Sequence, residues 1–90
     1  MPMMKPGEEF IEQGLADLID GKETVAALLV SIGATRLREA GLAVPTPTFS
    51  SPEHRLYAQL ISEDSDSAHS RYNALIRRLV SFEHALECGI

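Results

Sequence analysis

Ninety residues leave room for one folded unit, spanning 1–90, with one core. The chain is 44% hydrophobic and 23% charged, which suits a folded domain and excludes a disordered one. A formal charge of −5 and a single cysteine, Cys88, argue against a basic nucleic-acid binder and exclude a disulfide framework and a cysteine-based zinc knuckle.

The punctuation predicts four helices, at about 7–20, 23–40, 52–62 and 66–88, in an all-α small four-helix bundle. The first begins near Pro6, which loses nothing by lacking an N–H in a first helical turn, and Glu8 and Glu9 follow at the positive end of the dipole. Phe10, Ile11, Leu15, Leu18 and Ile19 form its apolar stripe. Near Gly21 the chain turns tightly, either through a glycine C-cap or through a capping box from Asp20 to Glu23. The first two helices are therefore expected to make an antiparallel hairpin.

The second helix is apolar nearly all round, with Val25, Leu28, Leu29, Ile32 and Leu37 on one face and small residues filling the rest. It reads as one unbroken rod to Ala40, with Gly33 marking close approach by a neighbour and Gly41 ending it. Residues 42–50 form an extended connector carrying Pro45 and Pro47, with Phe49 tucked against the bundle. Ser51-Pro52-Glu53 then reads as an N-cap, a first-turn proline and a first-turn acid. Leu56, Tyr57, Leu60 and Ile61 supply one side of the short third helix.

The acidic turn 63–67 leads into the longest helix. There Ala68, Tyr72, Leu75, Leu79, Phe82 and Leu86 recur at steps of 4, 3, 4, 3 and 4, and Ile76 and Val80 widen the stripe. The turn is not a calcium loop, because His69 stands where the glycine is required and Leu75 where the bidentate glutamate belongs.

The N-terminal residues hold no apolar signal core, and the longest apolar run, Val25 to Val30, is six residues against the roughly 20 of a membrane span. With a lone thiol, these features point to a cytoplasmic protein with no membrane partner. Charge is uneven. The first 23 residues carry six acids and two lysines, whereas all six arginines lie between Arg36 and Arg78.

Chemistry-bearing groups are few. His84 and Cys88 share a helical face at a two-ligand spacing, but no third ligand follows from the pattern, so neither a metal nor another cofactor is expected. Ser70 and Ser81 lack the glycine-flanked elbow of a nucleophile. Ser70, Asn73, Arg77, Ser81 and His84 line one polar stripe of the last helix. Arg78, five residues and then His84 is similar to the Arg…His motif of HEPN-type ribonucleases. The resemblance implies an all-α, often dimeric, metal-independent RNA-cleaving enzyme with His84 as general acid or base and Arg77, Arg78 or Asn73 assisting. It departs in two ways: Leu79 replaces the polar residue expected after the arginine, and Arg78 stands about 120° around the helix from His84. A helix-turn-helix DNA reader is the other nucleic-acid option, suggested by Gly33 and Arg36-Leu37-Arg38 and opposed by the net charge.

The leading expectation is an interaction or accessory module, self-associating as a homodimer or bound to a separately encoded protein. Two features favour it: the second helix lacks a polar face, and the short third helix leaves part of the long last one uncovered. Leu75, Leu79 and Phe82, with Arg71 and Arg78, are the interface candidates.

Overall fold

A computed structural model describes residues 7–46 and 48–88. Five helices form among them: α1 (Glu8–Ile19), α2 (Val25–Ile32), α3 (Ala34–Glu39), α4 (Pro52–Glu63) and α5 (Ala68–Glu87). No strand occurs among the described residues, so the all-α expectation holds. Pro6 as first-helix start and Pro47 in the connector lie outside them.

Glycine sets the first turn. Gly21, at φ 75°, donates to the Leu18 carbonyl at 3.1 Å while Lys22 donates to that of Asp17 at 2.8 Å, so the last carbonyls of α1 are satisfied by a left-handed cap. The alternative capping box is not used. Instead Thr24 caps α2, its hydroxyl accepting from the Ala27 N–H at 3.1 Å and donating to Asp17 Oδ2 at 2.8 Å. Asp17, itself buried, also accepts from Gln13 Nε2 at 3.0 Å. One carboxylate therefore ties α1 to the start of α2.

The expected rod over 23–40 is broken. Gly33, at φ −92° and ψ 7°, ends α2 and starts α3. A Cβ there would meet Leu79 Cδ1 at 2.8 Å and Glu83 Oε2 at 2.9 Å, so the neighbour whose approach demands glycine is the side-chain layer of α5. Gly14 has the same kind of reason on the other side of α2, where an added Cβ would run into the Ala26 carbonyl and lie 2.5 Å from Val30 Cγ2.

The expectation that α2 leaves apolar surface for a partner is met only at its ends, where Val25 and Ile32 are partly buried. Ala27, Leu28, Leu29 and Val30 are fully buried within this one chain, because α2 packs against α1, α4 and α5. Phe49 packs on the same core, and its N–H donates to Ser31 Oγ at 3.4 Å while that hydroxyl donates to the Ala27 carbonyl at 2.9 Å. The connector is thereby pinned to α2. A radius of gyration of 12.8 Å is close to the roughly 12 Å of a compact 90-residue chain.

Two local expectations change at the helix ends. Pro52 does open α4, but Ser51 sits at φ 46° and its side chain makes no cap bond. Ile19, placed in the first apolar stripe, is 71% exposed: Ile11 and Leu18 define the buried face of α1, and Ile19 stands about 100° around the helix from Leu18. No helix among the described residues is long and apolar enough to cross a membrane.

Candidate functional site

The α2–α3 break places a short helix beside the C-terminal half of α5. Between them lies an open groove of about 430 Å³, with Ile32, Ile76, Leu79 and Val80 as its apolar lining and Arg36, Glu39 and Glu83 as its polar one. Leu79 is core, whereas Ile32 and Ile76 are half-buried and Val80 is 38% exposed. The uncovered part of the longest helix is therefore here.

Arg36 organises the polar side. Its Nε and Nη2 donate to the two Glu87 oxygens at 3.1 and 2.8 Å, a bidentate pair, and its Nη1 lies 3.5 Å from Glu83 Oε1. Glu83 is only 4% exposed. Burial pushes its carboxyl above the usual carboxylate range, the Arg36 guanidinium and nearby His84 pull it down, and Glu87 pushes it up. The hydrogen bond from Arg36 holds Glu87 below that range and raises Arg36 in turn. With Glu39 added, three carboxylates face one guanidinium, and the groove rim is acidic.

Most candidates from the sequence lie elsewhere. Ser70, Asn73, Arg77, Ser81 and His84 are all exposed, the solvated stripe that their spacing describes. Asn73 contacts His69 Nε2 at 3.2 Å. Arg78 faces a different groove, lined with Phe10, Val25, Arg71, Ala74 and Leu75. Among the described residues no hydrogen bond or ion pair joins His84 to Asn73, Arg77 or Arg78. The interface candidates Leu75, Leu79 and Phe82 belong to this chain's own core, and Arg71 pairs with Glu63 at 2.9 Å.

Both arginines of the helix-turn-helix segment are engaged within the chain: Arg36 with Glu83 and Glu87, Arg38 with the Val44 and Pro45 carbonyls at 3.3 and 3.1 Å. No group of three His, Cys, Asp or Glu residues is placed to hold a metal ion among the described residues. Cys88 is exposed.

The residue that sequence reasoning missed is Glu83. Its signal was present: four positions after Leu79 and seven after Ile76, it falls inside the widened apolar stripe, where an acid needs a partner. The partner is Arg36, 47 positions earlier, which lies three positions after Gly33 on the side of the chain that meets α5.

No family model, curated protein or solved structure matches this chain.

Proposed function

We propose that this is a cytoplasmic helical interaction module that self-associates as a homodimer and has no catalytic role. The observation that carries this reading is the α3–α5 groove, where the partly buried Ile32 and Ile76 and the exposed Val80 bring three aliphatic side chains together at the edge of the core. A symmetric pair is the commonest way to cover such a face. In this reading α1 and α2 form an antiparallel hairpin within a small bundle, and α3 is the bent continuation of α2.

Light scattering at micromolar concentration tests the reading. A mass about twice the 9.8 kDa of the chain is expected. A mass near that of one chain would sink self-association and leave a separately encoded protein as the partner. A parallel RNA-cleavage assay of the wild type and His84→Ala is expected to show the same background in both. Cleavage lost in the variant would replace the module reading with an enzymatic one.

A further inference from the structure

We propose that the occupant of the α3–α5 groove is α5 of a second copy, with Arg77 of each copy reaching the acidic rim of the other's groove. The proposal rests on the self-association reading and specifies its surface and its charge partners.

The arginines identify the cation by elimination. Arg36 is held by Glu87 and Glu83, Arg38 by two backbone carbonyls, Arg55 by Glu23 and Arg71 by Glu63. Arg78 faces the groove beside Phe10 and Val25 instead. Arg77 is exposed, makes no ion pair among the described residues, and stands directly beside the aliphatic pair Ile76 and Val80. It cannot serve its own groove well, because six helical positions separate it from Glu83, about 120° around α5.

The groove has the opposite balance. Arg36 is the one guanidinium in its lining and is already engaged by Glu83 and Glu87, while Glu39 on α3 is exposed and makes no ion pair among the described residues. One face of the molecule thus carries both halves of a contact: an aliphatic pair one helical turn apart with a cation beside it, and an aliphatic lining with excess acid. A two-fold interface requires such self-complementarity, since each patch must meet its own copy. Buried aliphatic contact supplies affinity, and the charges select the occupant.

Two further grooves among the described residues lack this pairing. The one between the end of α1 and the connector, around Leu18, Ile19 and Phe49, has no charged lining, and the one at Arg71 and Arg78 has no acidic lining.

The test is a charge-reversal cycle read by the dimer dissociation constant, from sedimentation or concentration-dependent light scattering, with circular dichroism confirming that each variant is folded. Arg77→Glu and Glu39→Arg alone should each weaken the dimer by about tenfold, because each places like charges across the contact. The double variant should recover most of that loss. Single variants that dimerise like the wild type, or a double variant no tighter than the singles, would overturn this geometry while self-association stands. A wild type that stays monomeric would overturn both, and the first measurement of the series reveals it.

Discussion

Glu83 occupies the space that a side chain at position 33 would need: its Oε2 lies 2.9 Å from where a Cβ on Gly33 would stand. The glycine between α2 and α3 and the buried acid of α5 are therefore one feature, and Arg36, three positions after Gly33, falls on the same side and faces that acid.

Gly14 and Gly33 should respond differently to alanine. Helix propensity alone favours the change by about 1 kcal/mol at an interior position. At Gly14 the new Cβ meets the Ala26 carbonyl, which belongs to the backbone of α2 and cannot step aside. Gly14→Ala should therefore destabilise by about 2 kcal/mol net, read as a lowered urea midpoint. At Gly33 the obstructing atoms end flexible side chains, Leu79 and Glu83, and the loss should be smaller.

Thr24→Ala removes the α2 cap and one of the two hydrogen bonds to the Asp17 carboxylate. A loss of about 1–2 kcal/mol is expected from denaturant unfolding. Thr24→Ser keeps the hydroxyl and should keep most of the stability. Equal losses for both would show that the methyl group, not the cap, matters at this position.

Leu79→Asp and Val80→Asp, adjacent in sequence, should separate folding from association. Leu79 is core, and an unpaired carboxylate there should cost more than about 4 kcal/mol and unfold the chain. Val80 is 38% exposed at the groove, so its aspartate should leave the circular dichroism spectrum unchanged and give a monomer by light scattering. A folded, dimeric Val80→Asp would place the interface elsewhere.

Acid should favour Glu83 in the folded state. Its carboxyl titrates above the usual range when folded, so the folded chain holds that proton more tightly than the unfolded chain. The group's contribution is most favourable below the unfolded pKa of about 4.3 and is lost as pH rises through the higher folded value. Wild type should thus gain stability relative to Glu83→Gln as pH falls from 7 toward 4, in unfolding curves of the two proteins at one protein concentration. Glu87, held below the usual range by Arg36, has the opposite sign: its contribution is present at neutral pH and fades as pH falls through its folded value. A stability difference between wild type and Glu83→Gln that does not change with pH would show that Glu83 has the same affinity for its proton in both states.

Much of the fold was legible because its signals are local. The turn at Gly21, the start at Pro52 and the apolar repeat of α5 each depend on residues within a few positions of one another. The break at Gly33 was not, since the reason for it lies on α5, and an apolar helix with one glycine looks continuous until its neighbours are known. The covering of the middle of α2 failed for a similar reason. A helix apolar on every side suggests a missing partner, yet three helices of the same chain surround it. For the site, the pattern marked Ile76 and Val80 as the edge of the stripe but gave Arg36 no partner, because its acids come 47 and 51 positions later.

The clasp between Arg36 and Glu87 also has a place in time. It closes a span of 51 residues, and closing a loop of that length costs about 3.5 kcal/mol in chain entropy. A solvent-screened ion pair does not bring such distant segments together by itself. The apolar contacts of α2, α4 and α5 are expected to bring α3 within reach first, with the clasp fastening afterwards. Its removal by Arg36→Ala should leave the folding rate nearly unchanged and speed unfolding, so that the clasp governs how long the assembled chain lasts rather than how quickly it forms.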